Sequence, residues 1–132
     1  MILDTSFVIA LTEDEAARGM ARDHERRGVP QRLPAVALAE LYVSVGLGAD
    51  SYDNARKYEE LLGNLAVVPL DENIARRGGA VAGILAASDD HPTIGLADAL
   101  VAATGLVYNE PVVTEDTDDF QRVDGLDVVT WG

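Results

Sequence analysis

Four acids of this 132-residue chain stand in apolar surroundings. Asp4 directly follows Met1-Ile2-Leu3, and Asp116 follows Pro111-Val112-Val113-Thr114 after a single intervening residue, Glu115. Glu40 is the only charge between Ala35 and Val43, and Asp98 the only charge between Gly95 and Ala103. An ionised carboxylate taken into an apolar interior without a partner is strongly penalised, or its pKa moves. Neither apolar stretch offers a Lys or Arg to pair with its acid. A bound divalent cation would satisfy several carboxylates at once. The chain has no Cys and two His, so thiolate and multi-histidine sites are excluded. Hard oxygen ligands alone select Mg²⁺ or Mn²⁺ over zinc. Acids clustered around such an ion suit phosphoryl chemistry, in which the ion positions a phosphate, activates water and stabilises the leaving oxygen. Taken singly, each acid has a simpler role. Asp4 and Asp116 can cap helices, Asp98 can favour a helix dipole, and Glu40 can face solvent or pair with a distant Arg. Their convergence is what favours a site.

The elements that must bring them together read as follows. Residues 1–3, 65–70, 111–114 and 126–130 have strand character, and each run is brief and buried in type. Helical segments separate them. A helix begins near Ser6 and runs to about Leu11, and residues 13–27 are helix-forming until Gly28-Val29-Pro30 stops them. Pro34 leads into an apolar helix over 35–45 that Gly46 and Gly48 end. Residues 52–62 are amphipathic, with Leu61 and Leu62 towards the core. Asp71 caps a helix over 72–87, although Gly78-Gly79 disfavours it, since each Gly costs about 1 kcal/mol in a helix interior. Residues 89–92 form a turn, and 93 or 94 to 107 another apolar helix. Residues 116–120 make a short turn or helix. Short buried strands alternating with helices predict a single α/β domain with a mostly parallel sheet. Such sheets place their sites outside the carboxyl ends of the strands, where Asp4 and Asp116 both fall. Asp50, Asp53, Glu59, Glu60 and Asp127 read as solvated surface.

Ten basic residues against 23 acids give a net charge of −13. Nine of the ten are Arg, with Lys57 the single Lys. Such a surface repels polyanions at low salt. Low Lys with abundant Asp and Ala also fits a halophilic protein, in which concentrated salt screens the repulsion. The charge therefore leaves nucleic-acid chemistry open. No apolar run approaches the ~20 residues of a membrane helix, and the opening residues lack a signal-peptide pattern. A cytoplasmic protein is the expectation.

At this level of detail the chain resembles a PIN-domain ribonuclease, specifically the VapC-type toxin of a VapBC toxin–antitoxin pair. Met1-Ile2-Leu3-Asp4-Thr5-Ser6 is similar to that family's first strand, acid and hydroxyl. Ala39-Glu40-Leu41 resembles its second acid. Ala97-Asp98-Ala99-Leu100-Val101-Ala102-Ala103-Thr104 resembles the D-A-x-I-A-A-T stretch. Val112-Val113-Thr114-Glu115-Asp116-Thr117-Asp118-Asp119-Phe120 resembles the strand with its T-x-D-x-x-D-F ending, and Gly125-Leu126-Asp127-Val128 the last strand. The resemblance covers essentially the whole chain. It implies a PIN-like parallel sheet flanked by helices, and hydrolysis of an RNA phosphodiester by in-line attack of water. It implies that Asp4, Asp98 and Asp116 hold Mg²⁺ or Mn²⁺, with Asp4 and Asp98 as direct ligands. Glu40 orients the attacking water or completes the metal shell. Ser6 and Thr114 hydrogen-bond the acids from behind, and Asp119 is a further candidate beside them. The implied partners are RNA, a VapB-like antitoxin protein and a second copy of the chain. The helices over 13–27 and 35–45 offer apolar surface for those protein contacts.

Two features depart from the pattern. Glu115 stands where relatives often carry Arg or Lys, and its charge repels RNA. Candidates for backbone contact are Arg18, Arg22, Arg26, Arg27, Arg32, Arg76 and Arg77, each of which can equally pair with a local acid. The competing functions are a PIN-domain nuclease of RNA processing without an antitoxin, and a metal-free binding module whose acids serve the fold. A receiver-like or phosphatase-like domain is disfavoured, because Asp4-Thr5-Ser6 lacks the D-x-D of one common phosphatase class.

Overall fold

The computed structural model describes residues 1–48, 51–88 and 94–132. Five short strands form one sheet: β1 (Ile2–Leu3), β2 (Arg32–Pro34), β3 (Ala66–Val68), β4 (Val112–Val113) and β5 (Val128–Val129). Their order is β3-β2-β1-β4-β5, and all four pairings are parallel. The α/β expectation therefore holds. The chain winds outward from β1 to β3, then returns to the other side of β1 for β4 and β5. The reversal opens a crevice between β1 and β4, at the carboxyl ends of both.

Among the described residues, seven helices connect the strands: α1 (Thr5–Leu11), α2 (Glu15–Arg26), α3 (Ala35–Leu47), α4 (Ser51–Leu62), α5 (Glu72–Ala86), α6 (Leu96–Tyr108) and α7 (Thr117–Phe120). Local chemistry sets several ends. Asp14 accepts from the Ala16 N–H at 2.8 Å, so α2 starts at Glu15 rather than 13. Asp71 caps α5 through the Ile74 N–H at 2.9 Å, as its position predicts. α3 runs through Gly46 and stops at Gly48. The turn expected at 89–92 and the assignment of Asp50 lie outside the described residues.

Strand β2 went unrecognised in the sequence. It has three residues, of which Leu33 and Pro34 are buried, and Pro34 hands directly into α3. The Gly78-Gly79 discount on α5 also fails, for a packing reason. A Cβ on Gly78 would lie 2.6 Å from Leu100 Cδ2, so this glycine lets α5 press against α6. Gly105 does the same for α6 on β4, where a Cβ would stand 2.7 Å from Leu126 Cδ1 and 3.0 Å from Val112 Cγ2.

The core lies around β1 and β4. Ile2, Leu3, Phe7, Leu33, Leu41, Val101, Val112, Val113 and Phe120 are buried. Helix α6 is buried without a break from Ala99 to Gly105. Helix α3, equally apolar in sequence, buries Ala37 and Leu41 but leaves Tyr42, Val43 and Leu47 exposed. Leu61 and Leu62 of α4 pack against the core as expected. Among the described residues, no helix is long and apolar enough to cross a membrane.

Candidate metal centre at the sheet rim

The crevice between β1 and β4 holds the acids. Asp4 follows β1 directly and is almost fully buried. It occupies the capping position of α1, yet its carboxylate caps no backbone N–H. Instead its Oδ2 accepts from Thr114 Oγ1 at 2.7 Å and from Ser6 Oγ at 3.0 Å. Those hydroxyls are themselves fixed. Thr114, at the end of β4, accepts from the Asp116 N–H at 3.0 Å, and Ser6 accepts from the Glu115 N–H at 3.2 Å. Thr114 and Asp4 thus tie β4 to β1 across the switch point. Asp116 precedes α7, and its carboxylate likewise caps nothing.

Asp98 enters from the first turn of α6, and Glu40 from α3. Glu40 Oε1 accepts from Thr5 Oγ1 at 3.1 Å. Carboxylate oxygens of Asp98, Asp116 and Asp119 all lie within 4.8 Å of one another, a spacing one ion can bridge. A cleft of about 440 Å³ opens over the rim, lined by Asp4, Glu13, Asp14, Glu40, Asp98, Glu115 and Asp116 together with Thr5, Ser6 and Trp131. Among the described residues, no basic side chain lines it.

The electrostatics follow from that charge balance. Burial raises the Asp98 pKa to about 6, and the charges of Asp4, Glu40, Asp116 and Asp119 push the same way. Asp116 is raised by burial and then by the hydrogen bond and charge of Asp119. One cation touches the group from behind: Arg122 donates to Asp119 Oδ1 at 3.1 Å. Carboxylates held close together against their own repulsion, all of them hard oxygen donors, match what Mg²⁺ or Mn²⁺ requires.

Every acid singled out in the sequence reaches this rim, and Ser6 and Thr114 stand against Asp4 as donors. Asp119, placed in the sequence beside the ligands, sits within the tight group with Asp98 and Asp116. Asp4 lines the same cleft outside that group. Sequence reasoning missed Thr5, Asp14, Trp131 and Arg122. A hydroxyl adjacent to Asp4 was the available signal for Thr5, whereas Trp131 and Arg122 gave none. The basic candidates for RNA contact are mostly engaged locally. Arg18 and Arg22 pair with Glu15, Arg26 and Arg27 with Asp23, and Arg76 with Glu72. Arg32 pairs with Glu110 at the opposite end of the sheet.

A family model described as the PIN domain matches residues 1–126. A Ribonuclease VapC from Rickettsia bellii is 50% identical over 38 residues, which make up 29% of this chain and 28% of that protein. The aligned stretch is thus well under a third of either sequence. The fold is similar to that of a chain in the structure of VapBC2 from Rickettsia felis bound to a DNA fragment from their promoter, with a TM-score of 0.88, 19% identity and coverage of 99% and 98% of the two chains. VapBC-5 from Mycobacterium tuberculosis, a member of the VapBC family of toxin–antitoxin systems, superposes with a TM-score of 0.68 at 28% identity over 98% and 94%. With all but its last six residues inside the family model and VapC-like architecture throughout, this chain belongs to the PIN-domain family.

Proposed function

We propose that this chain is a Mg²⁺- or Mn²⁺-dependent endoribonuclease and the toxin of a type II toxin–antitoxin pair. One observation carries the reading: carboxylates from four separate parts of a PIN fold converge on the switch point of the sheet, and no basic side chain among the described residues lines their cleft. The family match, the curated ribonuclease and the toxin–antitoxin complexes among the structural relatives support it.

Asp98 and Asp116 are the ligands best supported by spacing, with Asp119 in the same group and Asp4 beside them. Bound there, the ion would supply positive charge to the phosphodiester and acidify water. The chain's own groups do the rest. Thr114 and Ser6 hold Asp4 in one orientation by engaging its Oδ2. Thr5 holds one oxygen of Glu40, leaving the other to orient water and take its proton. Water adds to phosphorus as Glu40 takes its proton, the P–O bond opposite breaks, and the displaced oxygen takes a proton from solvent.

Tyr42, Val43 and Leu47 on α3, exposed and apolar, suit an antitoxin or a second copy. So does a groove of about 460 Å³ between α2 and α4, where Leu11, Ala21, Val29, Leu61 and Leu65 stand beside Arg18, Arg22 and Glu25.

The test is RNA cleavage with and without Mn²⁺, beside calorimetric titration of the ion. Cleavage that stops with chelator and with Asp98→Asn is the expected result. Absence of binding heat and of cleavage would leave a metal-free module. Cleavage without growth arrest on expression alone would point to RNA processing without an antitoxin.

A further inference from the structure

A cleft lined by carboxylates, with no basic side chain, gains no attraction from the phosphates of a nucleic acid. In the ribonuclease reading, on which this inference rests, the ion would engage the scissile phosphate alone, and the rest of the strand must be gripped through something else. Trp131 offers the means. It follows β5 by two residues and therefore rises from the same rim as Asp4 and Asp116. It is the one aromatic side chain lining the cleft and the single tryptophan of the chain.

The indole is held from two sides. It meets Phe7, itself fully buried, edge to face, with centroids 5.2 Å apart and planes at 62°. Its Nε1 donates to Asp14 Oδ2 at 3.3 Å. The residue is nonetheless only half-buried and lines the cleft. A fixed aromatic surface at the mouth of a cleft loses little freedom when a planar partner lands on it. Every nucleobase has such a face, and stacking tolerates the negative surroundings that repel phosphate. Unlike Lys or Arg in this position, an indole is not neutralised by the neighbouring acids.

We propose that Trp131 binds substrate by stacking an unpaired nucleobase of single-stranded RNA beside the acidic centre. The site then selects single strands, because a base inside a duplex cannot leave its neighbours without loss of stacking.

Because the chain has one tryptophan, its emission reports this residue alone. The probe is a short phosphorothioate-linked single-stranded RNA, titrated in Mg²⁺ against an abasic strand of the same backbone. Saturable quenching by the RNA, none by the abasic strand, and about tenfold weaker binding of the latter are expected. Trp131→Phe keeps a ring against Phe7 and should raise KM by a few-fold with kcat little changed. Trp131→Leu should raise KM by about tenfold or more. RNA binding seen by anisotropy without a change in emission would overturn the stacking role and leave the nuclease standing. Equal quenching by the abasic strand would also overturn it. If RNA is neither bound nor cut in Mg²⁺ or Mn²⁺, the ribonuclease reading falls, and this one with it.

Discussion

The two ends of the sheet treat acids in opposite ways. At the amino end, Glu110 precedes β4 and receives two cations: the Met1 ammonium at 2.6 Å and Arg32 Nε at 2.8 Å. Burial pushes the Glu110 pKa up, but hydrogen bonds from the N-terminus and Arg32 outweigh it and leave the group below its ordinary value. At the carboxyl end, Asp98 is raised to about 6 by burial and by four other acids. The fold can therefore satisfy a half-buried carboxylate with its own cations, and it does so where the acid fastens strands together. At the other rim it holds acids close to one another with only Arg122 behind them. That arrangement lowers the stability of the chain, a cost that the proposed cation would offset.

The widest separation between the ends comes from neutralising one acid in each. Asp98→Asn should lower metal-dependent RNA cleavage by about 10³-fold or more, since it deletes a proposed ligand where charge develops. The same change should raise stability of the metal-free chain at pH 7. Two pKa units correspond to about 3 kcal/mol, which screening at a half-exposed group reduces to about 1–2 kcal/mol. Asp4→Asn and Asp116→Asn should abolish cleavage likewise with the fold intact. Glu110→Gln should do the reverse, costing about 2–3 kcal/mol in urea denaturation by stranding two cations, with cleavage per folded molecule unchanged. Full activity in Asp98→Asn would remove the proposed centre.

Acidity distinguishes the ends next. Below pH 6 the folded chain protonates Asp98, so Mn²⁺ affinity should fall towards tenfold per pH unit in calorimetry. For folding, the raised pKa means that the native state holds a proton the unfolded chain has lost between about pH 4 and 6. The contribution of Asp98 to stability is thus favourable at low pH and disappears as pH rises through 6. Glu110 contributes with the opposite sign. Its stabilisation is present above the ordinary glutamate range and is lost as pH falls through its lowered pKa. Melting of the metal-free wild type, Asp98→Asn and Glu110→Gln across this range separates the two. A smaller effect tests how Asp4 is held: Thr114→Val removes the 2.7 Å donor and should weaken Mn²⁺ binding about 10-fold.

The acids were legible for the same reason that they are costly. A single charge in an otherwise apolar run, as at Glu40 and Asp98, needs an explanation, and Asp4 and Asp116 stand where strands end. Strand alternation with helices made the parallel sheet legible too. What could not be read depended on contacts between distant parts of the chain. Thr5 reaches Glu40 across 35 positions, and Trp131 reaches Asp14 across 117. Asp119 was legible only through the family resemblance; its place with Asp98 and Asp116, on the single turn of α7 that ends in buried Phe120, is a tertiary fact. β2 was hidden because three residues carry no period, and the identity of Gly78 as a packing residue exists only opposite Leu100.

Salt should give the smallest difference, and it bears on the net charge of −13. At molar KCl the screening length falls to about 3 Å. Repulsion among the partly exposed rim acids then weakens, while the pair at the other end, where the ammonium is 1% and Glu110 19% exposed, is sheltered from ions. Metal-free wild type should therefore melt higher as KCl rises, and Glu110→Gln should gain as much. Asp98→Asn should gain less, because part of the repulsion that salt relieves is already gone, so its advantage over wild type should shrink by about half. A wild-type melting temperature that falls with KCl would contradict the high-salt reading of the composition. An equal gain in all three proteins would move the salt effect from the rim to the acidic surface at large, and the contrast between the two ends would then rest on activity and pH alone.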